Sequence, residues 1–213
     1  MKFNRLLHFD TQVSYFPIDL SAENVSKQHI PVHNAMELEH WISEYLHKNN
    51  AHVAYGGYLE KRNLYQSHDL FEKNAQPRNI HLGIDLWAPT NTPVCAALDA
   101  TIFALAEHTA AGDYGPMIIL EHQHHNDTFY TLYGHLSRAS LVGKNIGQSV
   151  SKGGIIAYLG DASVNGGYAP HLHFQIITSI DTQANDFPGV CTEAQVSHFK
   201  DICPDPLPFM EMH

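Results

Sequence analysis

Residues 78–89 read Arg78-Asn79-Ile80-His81-Leu82-Gly83-Ile84-Asp85-Leu86-Trp87-Ala88-Pro89, and the choice between helix and strand here decides the fold. An imidazole and a carboxylate stand four residues apart, a spacing that shares one face in a helix. Gly83, two isoleucines and the Ala88-Pro89 stop argue against a helix. A strand also returns its side chains to one face at i+2 and i+4, so His81 and Asp85 point together. Leu82, Ile84 and Leu86 then face the other way, into a core. Such a pair is half of a metal site.

The other half lies in Ala169-Pro170-His171-Leu172-His173-Phe174-Gln175-Ile176. On a strand His171 and His173 share a face, with Leu172, Phe174 and Ile176 alternating around them. One histidine of such a pair can ligate a metal while its neighbour stays free for proton transfer. A third, His135, closes the strand-like run 129–136, Phe-Tyr-Thr-Leu-Tyr-Gly-His-Leu. Three histidines and an aspartate on β-type segments are the raw material of a hydrolytic zinc centre.

In this order, His-x-x-x-Asp, Tyr-x-His-Leu and His-x-His resemble the lysostaphin-type zinc metallopeptidases, which cut peptide cross-links in bacterial cell walls. GIDLWAPTNTPV over 83–94, YGPMIILEH over 114–122 and the APHLHF that ends at Phe174 resemble that family as well. The resemblance covers roughly residues 78–177. It implies a mainly β, antiparallel sandwich or barrel-like catalytic domain (the duplicated hybrid motif), to which this chain adds a short N-terminal helical extension. It also implies one Zn2+ per chain, held by His81, Asp85 and His173 with one position left open. His135 and His171 would be the non-ligand catalytic pair; Tyr133, two residues before His135, is a candidate aid to the oxyanion, though core packing accounts for it better. Arg62, Asn63 and Tyr65 precede the domain and are candidate substrate contacts over the groove, although a surface loop that fastens the helix to the domain accounts for the segment better. In latent relatives a residue from such a segment occupies the metal's open position, and Asn63 is the candidate for that here.

Composition narrows the partners. The 213 residues suit one substantial domain with appendages, and 44% hydrophobic against 16% charged residues allow a buried core. A formal net charge of −10 without a basic cluster argues against nucleic acid. No run is apolar enough for a signal or a bilayer span, which points to the cytoplasm, although the family's role is periplasmic or extracellular. Cys95, Cys191 and Cys203 are odd in number and read as free thiols.

Along the chain, residues 1–57 form an extension and 58–77 a connecting segment. The metallopeptidase domain spans 78–180, and 181–213 is a proline-rich tail packed on it. Leu38, Trp41, Ile42, Tyr45 and Leu46 mark one face of a helix over about 34–50, with Asn34 as its cap. Residues 1–33 read as irregular or edge-strand material. Strands are expected at 94–106, 117–122, 128–133, 154–159 and 171–177. His122, His124 and His125 fall where a hairpin tip is expected, and an exposed loop accounts for them better than a second metal.

The expected function is zinc-dependent endopeptidase action on peptidoglycan-type or other small flexible peptides. The alternatives are a peptide- or wall-binding regulatory module and, further off, a histidine phosphocarrier. Asp85 speaks against the phosphocarrier, because an extra anion disfavours phosphoryl acceptance.

Overall fold

A computed structural model describes residues 2–62 and 76–211. In chain order the elements are β1 (Tyr15–Pro17), α1 (Ala22–Gln28), α2 (Ala35–Lys48), β2 (Val53–Gly56), β3 (Ile80–His81) and β4 (Ile84–Trp87). There follow β5 (Pro93–Cys95), β6 (Ala100–His108), β7 (Gly115–His124), β8 (Asp127–Gly134) and β9 (Ser149–Val150). β10 (Ile155–Tyr158), β11 (His171–Ile177), β12 (Val190–Cys191) and α3 (Val196–Ile202) complete the chain.

Eight strands form one sheet in the order β1-β2-β4-β11-β8-β7-β6-β9. Every pairing in it is antiparallel except β1 with β2. β10 pairs with β5 and β12 with β3 in two small ribbons. The expected mainly antiparallel β architecture is present as an open sheet rather than a closed barrel. Strict alternation explains it: Ile84 and Leu86 of β4 join Leu172, Phe174 and Ile176 of β11, with Tyr133, in the main core. Phe3, Leu6, Leu7 and Val13 from the start of the chain are buried in the same core.

The helix expected over 34–50 is α2. Asn34 Oδ1 accepts from the amides of Met36 and Glu37, and its amide nitrogen donates to Glu37 Oε1 at 2.8 Å. Leu38, Ile42 and Leu46 face a cluster that contains Ala54, Trp87 and Ala169. Burial of three such side chains is worth roughly 1.5–3 kcal/mol each. It also backs Trp87, a neighbour of the site.

Three expectations are corrected. The run 94–106 is two strands, because the chain leaves β5 at Ala96–Asp99 to join the main sheet as β6. Asp99 secures that bend by accepting the Lys152 amide at 2.7 Å. Residues 1–33 supply an edge strand, β1, as expected, but also a helix, α1, capped by Ser21 and burying no side chain, so it left no apolar stripe to read. The tail, for which no element was expected or excluded, contains a short helix, α3. At the β7–β8 hairpin His124 and His125 are exposed, as expected. His122 is instead wholly buried, stacked on Phe129 and bonded to Thr131 Oγ1 at 2.7 Å. All three cysteines are free and buried. Among the described residues no helix is long and apolar enough to cross a membrane.

Candidate metal centre

β4 and β11 pair so that His173 stands opposite Asp85 and His171 opposite Trp87. The side chains that alternate away from the main core therefore converge on one patch. His81 reaches it differently from the straight strand expected. The chain bends at Leu82–Gly83, and Leu82 joins a separate cluster with Ile80 and Cys191. At Gly83 a Cβ would lie 2.4 Å from the Phe174 carbonyl oxygen and 2.9 Å from the His173 ring. Only glycine lets the bend pass so close over a site histidine.

His81, Asp85 and His173 each bring one potential ligand atom to within 4.8 Å of the others, and all three are buried. Asp85 Oδ1 lies 3.2 Å from His81 Nε2 and 3.4 Å from His173 Nδ1. Ligands of a tetrahedral zinc, at about 2.0–2.1 Å from the ion, stand about 3.3–3.4 Å apart. The two nitrogens are 2.8 Å apart and would need to part by a few tenths of an ångström. The far side of each ring is already occupied. His81 Nδ1 lies 2.9 Å from the Gly57 carbonyl and His173 Nε2 lies 3.0 Å from Gln175 Oε1. Both far nitrogens therefore donate, and both inner nitrogens present lone pairs to one point. Asp85 Oδ1 is buried with no hydrogen-bond partner among the described residues. Two facing lone pairs and an orphaned carboxylate oxygen form a donor set that a divalent cation satisfies. Mixed imidazole and carboxylate suits zinc better than magnesium or calcium.

Two more histidines stand beside this set. The His135 and His171 rings are 4.2 Å apart, and Trp87 stacks on His171 at 4.1 Å and 24°. His135 Nδ1 donates to the Asn165 carbonyl and His171 Nδ1 to the Ala169 carbonyl, both at 2.8 Å. Each Nε2 is thereby left as the basic atom. His135 has a left-handed φ of +62°, the conformation that turns the chain off the end of β8. Burial keeps these rings neutral: it pushes His81 down to about 4 against the upward pull of Asp85, and lowers His135 and His171. Burial alone would raise Asp85, but His81 and Arg62 outweigh it and hold the carboxyl well below its ordinary value.

All five groups line a cleft of about 260 Å³, whose walls include Tyr114, Tyr168 and Phe187. The expected substrate contacts fare differently. Arg62 lines the cleft but does not reach over it: the side chain is 2% exposed and pairs with Asp85 and Glu60. Tyr133 is fully buried in the core, its hydroxyl accepting the Ala97 amide at 2.9 Å, so it is removed from the cleft. Asn63 and Tyr65 lie outside the described residues. Sequence reasoning missed Gln175 and the Gly57 carbonyl as the groups that orient His173 and His81. Gln175 was findable, since it shares a strand face with His171 and His173 by period two. A backbone oxygen 24 residues from its partner carries no such signal.

The profile of peptidase family M23 matches residues 79–186, just over half of the chain and all five of these groups. The chain belongs to peptidase family M23. Curated relatives include an uncharacterized metalloprotease of Haemophilus influenzae, 38% identical over 95 residues, which are 45% of this chain and 18% of that one. The DD-carboxypeptidase/endopeptidase Mpg of Neisseria meningitidis is 34% identical over 96 residues, 45% and 20% of the two chains. This M23 chain thus spans about a fifth of the length of the curated relatives it matches. Among solved structures, the lysostaphin catalytic domain of Staphylococcus simulans aligns at 24% identity, with TM-score 0.43. That alignment covers 78% of this chain and 95% of that one. A zinc-containing peptidase from Vibrio cholerae aligns at 28% identity and TM-score 0.39, covering 52% and 32%.

Proposed function

We propose that the chain is a zinc-dependent endopeptidase that hydrolyses amide bonds in small, flexible peptides of the peptidoglycan type. The observation that carries this reading is the convergence of His81 Nε2, His173 Nδ1 and the orphaned Asp85 Oδ1 in a cleft shared with two further basic nitrogens. Zinc held by these three residues would supply a Lewis acid able to polarise a carbonyl and to make water a nucleophile near neutral pH.

The chain's own residues do the rest. The imidazoles of His135 and His171, neutral and with Nε2 available, share the proton work. One accepts the proton of the attacking water, and the other supplies a hydrogen bond to the developing oxyanion or a proton to the departing amine. Trp87 holds the His171 ring by stacking, and the Ala169 carbonyl fixes its tautomer. The cleft walls keep bulk water from the reacting bond and position an extended peptide against these groups.

The test is digestion of cross-linked muropeptides and oligoglycine peptides by the zinc-loaded chain, with and without chelator. Cleavage that stops on chelation and returns with added zinc is expected. If the zinc-loaded chain cuts neither substrate, the peptidase reading fails, and a wall-binding module on this fold takes its place.

A further inference from the structure

We propose that Arg62 is a positioning residue of the metal centre, one that keeps Asp85 a one-oxygen ligand. This rests on the metal-centre reading above and adds to it a residue outside the span that the M23 profile matches.

The Asp85 carboxylate is divided between two neighbours. Oδ2 accepts from Arg62 Nη1 at 2.5 Å, while Oδ1 faces His81, His173 and His171 at 3.2, 3.4 and 3.8 Å. A carboxylate with both oxygens available can take a cation with either one or both. Here one oxygen is committed to a guanidinium in a buried, charge-assisted hydrogen bond, the strong kind. The remaining oxygen would join the two histidines as one of three protein ligands to a bound zinc.

The clamp is itself held. Arg62 Nε donates to Glu60 Oε1 at 2.6 Å, and Glu60 Oε2 accepts the Leu20 amide. Glu60 also offsets the cost of a cation next to a dication, so the row of charges runs negative, positive, negative. The backbone is fixed as well: Arg62 N donates to Asn79 O, His81 N to Glu60 O and Leu59 N to His81 O. Residues 59–62 thus run as a ladder beside the strand that carries His81. Gly57 (φ +106°) makes room, since a Cβ there would lie 2.1 Å from Arg62 Nη2 and 2.9 Å from His81 Nδ1. One short segment therefore sets two of the three ligands, His81 through the Gly57 carbonyl and Asp85 through Arg62. A guanidinium cannot ligate a metal, so Arg62 tunes the centre without plugging it.

The experiment uses the full chain loaded with cobalt(II), whose visible bands are intense in four-coordinate sites and weaken as ligands are added. The parent is expected to show the four-coordinate spectrum, and a parent that takes up no cobalt would sink the metal-centre reading itself. Arg62→Ala is expected to bind cobalt with weakened, five-coordinate-like bands, and its zinc form to lose about 10–100-fold in kcat with KM little changed. Arg62→Lys, which can still pair with one oxygen, should recover the parent spectrum and part of the rate. Arg62→Met preserves the bulk of the stem and carries the same expectation should Arg62→Ala fold poorly. An Arg62→Ala or Arg62→Met spectrum identical to the parent's overturns the proposal, as does unchanged kcat. So does failure of both to fold with zinc present, since Arg62 would then be a folding residue only.

Discussion

Replacing Gln175 with leucine isolates the support beneath a single proposed ligand. Gln175 is wholly buried; its Oε1 receives the His173 Nε2 hydrogen, and its own amide donates to the Pro188 carbonyl and Cys203 Sγ, each at 3.3 Å. Leucine fills the space but leaves the His173 N–H and the Pro188 carbonyl without partners. Each orphaned group costs roughly 1–3 kcal/mol, partly offset by the apolar side chain gained. With its outer hydrogen bond gone, the His173 ring is free to change tautomer and swing, so Nδ1 no longer faces Asp85 by default. Outer partners of ligating histidines are typically worth 10–100-fold in metal affinity, about 1.4–2.7 kcal/mol. The assay is competition for zinc between the chain and a chromophoric chelator at neutral pH, with thermal melts alongside to separate stability from affinity. Gln175→Leu should raise the zinc Kd by that factor, while Gln175→Glu, which keeps an acceptor, should bind far closer to the parent. A Gln175→Leu chain that binds zinc as tightly as the parent would refute the argument that this hydrogen bond orients the ligand.

Three further outcomes follow from the same geometry. His81→Ala, Asp85→Ala and His173→Ala should each purify without zinc. His135→Ala and His171→Ala should retain it and lose about 10²–10⁴ in rate; metal analysis decides, and a zinc-free His171→Ala would overturn the division of roles. The zinc-free protein should weaken in mild acid. Burial pushes His81 down to about 4 and lowers His135 and His171, so their folded pKa values lie below that of an unfolded histidine. The unfolded chain then takes up protons first: stability is full above about pH 6.5 and falls toward about pH 4, by up to about 1.4 kcal/mol per pH unit for each group. A melting temperature flat across that window would contradict the assignment of neutral buried rings. Finally, Gly83→Ala drives a methyl against the Phe174 carbonyl and the His173 ring, at a cost of about 1–3 kcal/mol. A lower melting point together with weaker zinc binding is expected, and a zinc affinity equal to the parent's would show that the bend tolerates the added atom.

Much of the site was legible because it sits on strands, where period two is visible in the sequence. The alternation in HLHFQI put His171, His173 and Gln175 on one face, and IDLW did the same for Asp85 and Trp87. The His81–Asp85 pair was grouped correctly but for an incomplete reason, since the bend at Gly83, not a straight strand, brings His81 round. The α2 stripe could be read because it is buried on one side, whereas α1 and α3 bury no residue and so left no periodicity. Arg62 was noticed, as a candidate over the groove or as part of a surface loop. Its true position depends on a ladder between residues 59–62 and 79–81 that no local pattern encodes. Tyr133 packs in the core, the better supported of its two readings: closeness to His135 in sequence is not closeness in space, and on β8 it faces inward.

The pairing of β12 with β3 bears on how the protein can be cut down. Val190 lies across from His81, Leu82 N donates to Gly189 O, and Pro188 O is tied to Gln175. All of these partners fall past residue 186, where the family match stops, just as Gly57 and Arg62 fall before residue 79, where it starts. An excised fragment trimmed to the match would carry every candidate ligand and proton carrier yet lack the scaffolding on both flanks of His81. Its failure to hold zinc would reflect the trimming and say nothing against the centre. Working boundaries for a minimal unit must reach past Gly57 to the segment of Phe3, Leu6 and Leu7 that fills the main core, and on the other side at least to Cys203.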